Sequence, residues 1–564
     1  MRLRFRYFFR LTKFILAPLV VLFMIAAAVF VIEAKDLRSQ PVFARLIAFI
    51  DARGINKVLD IFYLHHSFEK RKLPTFKLTV EKDSEKKLDE MARAAIAADF
   101  LFDENKEFVP ATLVYNGQKY QVDIRYRGDG DIHWKFPKKS WRIRLKGGEH
   151  IMGFNNFDLI VPRDRGFVLE NLNNYRAGKL GLPSLRDQFV DLEVNGSFHG
   201  PYWLVDHDYS ESLEVSKRPA DVNTYGGYVR GRPQWEDTND TGRWQKYSED
   251  KVSQFDNYAE MDKLLDFLKN TETEEFYLRI GELVDLRSMY AWQVLTELSG
   301  SDHNGFGNSR LYFDNTLGKF SIIPWDIEGG GAPPDYASNL LLARIFKNPQ
   351  FLHEKNELLW SYVSDAANLK DDLAHYDELY NEVKTSFYKD RKKQVSSYQF
   401  DKEVRYWRDT LEAQFEVAKE RFARAEVLIG TGAIEGTTRF DVITTNYAGL
   451  DFRGVSFKSD ASRDFQDLAL YFDSNYNGNL DSADEYIDKF EFEDNSYRVQ
   501  FSKILFAERN YPDDYRDFTA SKAEILPTRY TFFVVGAPLA ASLTFDITNV
   551  FTGEQATKLT NQLK

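Results

Sequence analysis

The sequence predicts an α+β chain in several parts: an apolar N-terminal helix, a mixed α/β body and a C-terminal β-sandwich-like domain. Three observations carry this. The length of 564 residues is several times a typical domain of roughly 150 residues. Between about 73 and 432, short β-rich pieces bounded by turn residues are interleaved with long stretches of helical periodicity. From about Thr438 onward that periodicity gives way to short alternating segments.

Composition narrows the function classes. A hydrophobic fraction of 43% and a charged fraction of 28% exclude wholesale disorder. The net charge of −12 offers no bulk attraction to nucleic acid, and no nucleic-acid partner is expected. The absence of cysteine removes disulfides, thiol nucleophiles, cysteine-ligated zinc and iron–sulfur clusters together.

Residues 1–13 carry Arg2, Arg4, Arg6, Arg10 and Lys13 and no acid. The next 19 residues, 14–32, have no charge. At about 1.5 Å per residue they match a hydrocarbon core of roughly 30 Å. The basic flank reads as a cytoplasmic tail, which puts the bulk of the chain outside the cytoplasm. The expectation is a single-pass transmembrane signal anchor over 14–32 in the membrane. The alternative is a cleaved signal peptide and a secreted chain. Residues 33–72 read as a helical stalk.

Strands are predicted at 76–80, 111–115, 120–127, 140–145 and 189–194. The last runs through Asn195-Gly196, a hairpin turn signal, into 199–205. A helix is predicted over 168–180. Residues 258–300 and 336–430 read as helical. Between them lie the loop SDHNGFGNS and a hairpin pairing 310–313 with 319–323.

Two stretches have the residue types that phosphoryl transfer needs. In DHNGFGNSRLYFDNTLGKFSIIPWDIE, Asp302 lies in a Gly- and Asn-rich loop, Asn308 opens the hairpin and Asp326 follows its second strand. An Asp to orient a hydroxyl, then an Asn and a second Asp as hard oxygen ligands for Mg²⁺, is the order of parts in a kinase-like site. In RYRGDGDIHWKFPKKSWRIRLK, Gly128 and Gly130 make a loop that can bring backbone N–H groups to phosphate, and Lys138 and Lys139 enter the next strand. Each stretch has a plainer structural reading, as an Asx-turn loop and as a solvated basic hairpin.

Taken in order, the segments RGDGDIHWKFPKKSWRIRLK, RDRGFVLENLNNYRAGKLGLPSLRDQFVDLEVNGSFHGPYWLVDHDY, DHNGFGNSRLYFDNTLGKFSIIPWDIE and SNLLLARIFKNPQF resemble the CotH kinase-like family, first known from spore-coat proteins. The resemblance covers about 110–430. It implies an atypical protein-kinase-like, two-lobed catalytic domain, here over 73–432, that uses ATP with Mg²⁺ or Mn²⁺. Some members phosphorylate Ser or Thr of secreted proteins, so the partner expected here is a secreted or cell-surface protein. By the same resemblance Asp302 is the catalytic residue, and Asn308 and Asp326 are metal ligands. Lys138 or Lys139 is the phosphate lysine, with Lys138 preferred, and Glu170 is its ion-pair partner. Asp206 falls where an acid often ends a hinge-like strand. Two departures stand out. Asp129 and Asp131 add negative charge to the glycine loop. Glu328 replaces a family Asp as a further metal ligand. Both leave room for a catalytically inactive scaffold of a coat, matrix or envelope assembly.

The β-rich domain, 438–564, contains DSNYNGNLDSADE. Its oxygen side chains fall at Ca²⁺-loop spacing: Asp473, Asn475, Asn477, Asn479, Asp481 and Asp484, with Gly478 at the tight turn. The expected ligand is a structural Ca²⁺ ion, because strands and not helices flank the loop. The plainer reading is an Asn/Gly turn.

Overall fold

The computed structural model describes residues 54–562 apart from 208, 221, 227–233, 236, 238, 248–256, 302–307, 330–338, 435, 459–464, 466, 512–522 and 537–542, together with 18, 20–35, 37, 40–43, 45, 47 and 50. The chain divides into two compact units, and both are built from segments distant in sequence. The first comprises Met1–Tyr175, Pro183–Ala220 and Asp372–Thr410. The second comprises Arg176–Leu182, Asp221–Asp371 and Leu411–Lys564.

The first unit is organised by a closed barrel of seven strands: β1 (Thr75–Thr79), β2 (Val109–Tyr115), β3 (Gln118–Tyr126), β4 (Trp141–Leu145), β5 (Asn156–Ile160), β6 (Asp187–Val194) and β7 (Ser197–Asp206). Their order is β1-β2-β3-β4-β5-β7-β6, and a parallel β1–β6 pairing, with Phe76 opposite Leu192, closes the ring. Closure removes the exposed sheet edges that invite aggregation. Asn195 and Gly196 turn β6 into β7 with φ of 48° and 76°, as a two-residue turn with left-handed residues requires. Apolar side chains such as Phe76, Leu113, Ile124, Ile143 and Phe157 fill the core. Helix α1 (Lys82–Ala98) covers it with Leu88, Met91, Ala92 and Ala95, spaced along one helical face.

Among the described residues no helix is long and apolar enough to cross a membrane, where the sequence predicts one over 14–32. Residues 14–17 and 19 lie outside the described residues. Residues 20–34 are helical, and one face of this helix is packed on protein. Ala26 and Val29 are buried with Leu59, and Phe30 meets the ring of Tyr398 edge-on at 5.3 Å.

The second unit joins a helical layer to a sandwich. Its helices include α3 (Ala259–Asn270), α4 (Thr273–Leu283), α5 (Leu286–Ser299), α6 (Leu340–Phe346) and α7 (Pro349–Ser364). They enclose a core around Met261, Phe276, Met289, Leu295 and Leu342. A four-stranded sheet ends in the hairpin of β8 (Leu311–Asp314) and β9 (Lys319–Ile322). The sandwich packs a six-stranded sheet against a four-stranded one, with Phe440, Phe452, Phe532 and Ile547 between them. Asn549 fastens it to the helical layer by donating from Nδ2 to the Phe422 carbonyl at 2.8 Å.

Candidate functional site

Within the second unit, α5 and the β8–β9 hairpin position the kinase-like stretch. Asp285 caps α5 by accepting from the Arg287 N–H at 3.1 Å. The helix is buried almost all round and ends at Gly300, whose φ of 63° reverses the chain. Its last turn is held by charge. Glu297 receives Lys355 Nζ at 2.6 Å and Arg421 Nη2 at 2.9 Å, all three being largely buried. Asp302 lies in the stretch 302–307, outside the described residues.

Asn308 opens the hairpin, and its neighbour Ser309 is clamped. Gln234 accepts from the Ser309 N–H at 3.0 Å and donates to the Ser309 carbonyl at 3.1 Å, while Trp235 Nε1 donates to Ser309 Oγ at 2.8 Å. The hairpin is tied to α5 where the Ile322 N–H reaches Ser288 Oγ at 3.0 Å. After β9 the residues Ile323-Pro324-Trp325 are all buried. Asp326 follows with a left-handed backbone, φ 62°. For an Asp this conformation costs on the order of 1 kcal/mol. The bend accompanies a hydrogen bond that spans 18 residues: Asn308 Nδ2 donates to Asp326 Oδ2 at 2.7 Å. Asn308, Asp326 and Glu328 offer only hard oxygen donors for an ion, and few protein ligands suit Mg²⁺, which keeps waters and substrate phosphates. In that chemistry they fit the metal the family resemblance implies. Among the described residues no group of three or more His, Asp or Glu forms a ready-made metal cage.

The glycine loop of the first unit is folded around a histidine. Gly128 has φ 83°, and a Cβ there would fall 1.9 Å from His133 Cδ2. The His133 ring meets Ser140 Oγ at 3.0 Å through Nδ1 and Arg127 Nη1 at 3.3 Å through Nε2. Burial pushes its pKa down to about 4 and keeps it neutral near pH 7. Arg127 and Arg142 both pair with the buried Asp158, at 3.2 and 2.7 Å. The extra acids of the loop are matched by neighbouring cations, Asp129 by Lys106 at 2.5 Å and Asp131 by Lys135 at 3.2 Å. Gly130 lies in open space.

Lys138 is 1% exposed. Its Nζ donates to Asp390 Oδ2 and to the Pro201 carbonyl, each at 2.7 Å, and sits 4.7 Å from the Tyr202 ring centroid. Burial pushes its pKa down, and the Asp390 carboxylate opposes this. The carboxylate partner of Lys138 is therefore Asp390 and not Glu170, which is buried on α2 (Leu169–Lys179). Asp390 was invisible as a partner because it lies 252 residues away. Lys139 is only partly buried, and its Nζ donates to the Trp134 carbonyl.

A buried polar cluster gathers around Glu170, of which the sequence reading singled out that residue alone. The first turns of α2 bury Glu170, Asn171, Asn173 and Asn174, and Asn171 Nδ2 and Trp203 Nε1 both donate to Asp187 Oδ2 at 2.7 Å. Burial raises the Asp187 pKa to about 7. The available signal was the run of polar residues in LENLNNYR, on a helix with no apolar stripe. Asp206, at the end of β7, accepts from the N–H and Oγ of Ser212, both at 3.0 Å.

In the sandwich, the 473–484 loop joins two strands and closes on itself. Buried Asp473 accepts from the N–H groups of Asn477 at 3.1 Å and Gly478 at 2.7 Å. Exposed Asp481 accepts from Asn477 Nδ2 at 2.6 Å and Asn475 Nδ2 at 3.1 Å. Asn477 Oδ1 takes the Asn479 N–H at 2.7 Å, and Asp484 Oδ2 takes the Asp481 N–H at 2.9 Å. Gly478 turns the chain at φ 76°.

The family model of the CotH kinase protein matches residues 124–426, more than half of the chain. The chain belongs to the CotH kinase protein family. The match includes the glycine loop, both lysines, α2 and the 302–328 stretch; it leaves out the N-terminal helix and nearly all of the sandwich. The inner spore coat protein H of Bacillus subtilis (strain 168) is 24% identical over 271 residues, covering 44% of this CotH-family chain and 73% of that protein. Among solved structures, the Helicobacter pylori proinflammatory kinase CtkA is 11% identical and aligns over 56% of this chain and 95% of its own, with a TM-score of 0.20.

Proposed function

We propose that this CotH-family chain is a membrane-bound phosphotransferase that moves phosphate from ATP to a hydroxyl of a secreted or surface protein. The observation that carries the reading is the Asn308–Asp326 pair at 2.7 Å, set on a hairpin six residues after Asp302 in the order a kinase uses. Asn308 and Asp326, with Glu328, would hold Mg²⁺ or Mn²⁺, which when bound supplies charge neutralisation for the phosphates. The acceptor oxygen bonds to the γ-phosphorus as the bond to the β,γ-bridging oxygen breaks. ADP leaves, and the hydroxyl proton passes to the Asp302 carboxylate. In the barrel unit the phosphate contact falls to Lys139, because Lys138 is 1% exposed and its ammonium is taken by both Asp390 and the Pro201 carbonyl. The uncharged 14–32 segment and its basic flank support membrane attachment, and the oxygen spacing of 473–484 supports a structural Ca²⁺ ion.

The test is the full chain in detergent, incubated with γ-labelled ATP and Mg²⁺ or Mn²⁺. Label should appear on the chain or on an added Ser- and Thr-rich protein, and Asp326→Asn should abolish it. A second reading, an inactive scaffold, is favoured by one observation: the glycine loop is shaped around His133 and the preferred lysine is buried. The absence of both transfer and a nucleotide-induced rise in melting temperature would establish that reading.

A further inference from the structure

The 3₁₀-helix Ile55–Phe68 of the first unit is amphipathic the wrong way round for a protein surface. Three residues per turn keep every third side chain on one stripe. One stripe is polar, and it faces protein. Asp60 takes the Ser397 N–H at 2.7 Å and pairs with Lys393 at 2.9 Å. Tyr63 Oη donates to Asp401 at 2.7 Å, and the His66 ring centroid lies 4.5 Å from that of Tyr388. The other two stripes are mainly apolar, interrupted by buried Asn56 and by exposed His65 and Ser67. Their first turns, Ile55, Val58 and Leu59, pack against Ala26 and Val29 of the N-terminal helix. Their later turns, Ile61, Phe62, Leu64 and Phe68, are left exposed, Phe68 at 94%.

We infer that the outward face of residues 61–68 is a second contact with the phospholipid bilayer, continuous with the N-terminal helix. Two observations select lipid as the occupant. The N-terminal helix that packs on Leu59 also leaves Val21, Phe23, Met24 and Phe30 exposed, so the two apolar surfaces belong to one packed pair of helices. Phe68 is followed by exposed Glu69 and then by exposed Lys70 and Lys72, so cations outnumber the acid where this apolar face would meet a layer of anionic headgroups. The first unit would then lie on the membrane through this face, in place of standing off it on a stalk. The inference rests on the membrane attachment proposed above.

The chain has no cysteine, so single labels are clean. Phe62→Cys, Leu64→Cys and Phe68→Cys, each with an environment-sensitive fluorophore, are compared with Lys119→Cys and Glu282→Cys in the full chain on phosphatidylcholine–phosphatidylglycerol vesicles. Nitroxide lipids should quench most of the emission at 62, 64 and 68 and leave 119 and 282 unchanged. If the chain floats with the vesicles but iodide in the water quenches 62, 64 and 68 as readily as 119, the inference is overturned and membrane attachment stands. Labels shielded from both quenchers would place protein, such as a second copy, on this face and also overturn it. A chain that does not float would remove the attachment itself.

Discussion

Asn308 reaches across a hairpin to hydrogen-bond Asp326 at 2.7 Å, and Asp326 holds a left-handed backbone there, φ 62°. Asp tolerates the left-handed region better than most residues, and the hydrogen bond fixes the two oxygen-bearing side chains against each other.

This yields a separation of roles. Asp326→Gly relieves a backbone cost on the order of 1 kcal/mol and loses the Asn308 hydrogen bond of about the same size, so the change in stability should be small. Metal-dependent nucleotide binding should nevertheless disappear. Asp302→Asn should keep nucleotide binding and lower turnover by about 10²–10⁴-fold, the usual contribution of a general base. Calorimetry with ATP and Mn²⁺, alongside transfer assays, separates the two. Equal nucleotide affinity in Asp326→Gly and wild type would remove the metal role.

Lys138 and Asp390 make the opposite case, residues whose removal acts on folding. Lys138→Ala leaves a buried carboxylate without its cation and should cost about 3–5 kcal/mol. The pair Lys138→Met with Asp390→Leu should recover much of that loss. Gly200→Ala should also destabilise, because at φ 77° its Cβ would fall 2.3 Å from Asp390 Oδ2. Lys139→Ala should leave the urea midpoint nearly unchanged. A Lys138→Ala chain of native stability with weakened nucleotide binding would return the phosphate role to Lys138.

Asp187 should make stability fall as pH rises. Its pKa in the folded chain is raised to about 7, against an unfolded value of roughly 3.9. Its contribution is therefore complete below roughly pH 4 and is lost as pH rises through about 7. In Asp187→Asn the amide oxygen can still accept from Asn171 and Trp203, so the variant should gain stability relative to wild type between pH 5 and 8. Parallel stability–pH curves for the two chains would contradict the raised pKa.

What was readable in the sequence follows from how each element buries its side chains. The hairpin at Asn195-Gly196 and the pairing of β8 with β9 were legible because turn residues and alternation coincide. Strand β5 was not, because all five of its residues, Asn156 and Asp158 included, are buried and no alternation survives. Helix α1 was missed because Ala92 and Ala95 supply half of its apolar stripe and look neutral in a pattern. At the site, the order Asp302, Asn308, Asp326 could be read along the chain. The Lys138–Asp390 pair could not, since only the fold brings residues 252 apart into contact. Gly128 looked like a phosphate cradle, and its glycine is required by the ring of His133.

The sandwich loop calls for a choice of variant that spacing alone would not suggest. Asp473 and Asp481 are both expected Ca²⁺ ligands, but Asp473 is buried and its carboxylate accepts from the N–H groups of Asn477 and Gly478. Asp473→Ala should therefore destabilise in chelator as well as in Ca²⁺, by about 1–3 kcal/mol for the unsatisfied amides. Asp481 is exposed, and its partners are the two Asn side chains and the Ala483 N–H. Asp481→Ala should cost little in chelator and abolish most of the rise in melting temperature that Ca²⁺ produces. An ion that binds only the folded state stabilises it by mass action, about 2.7 kcal/mol at a hundred times its Kd, so the effect should grow with Ca²⁺ concentration. Calorimetric melting of wild type, Asp473→Ala and Asp481→Ala, each with Ca²⁺ and with chelator, reads the whole pattern. A wild-type melting temperature that ignores Ca²⁺ up to millimolar concentration would reduce the loop to a turn.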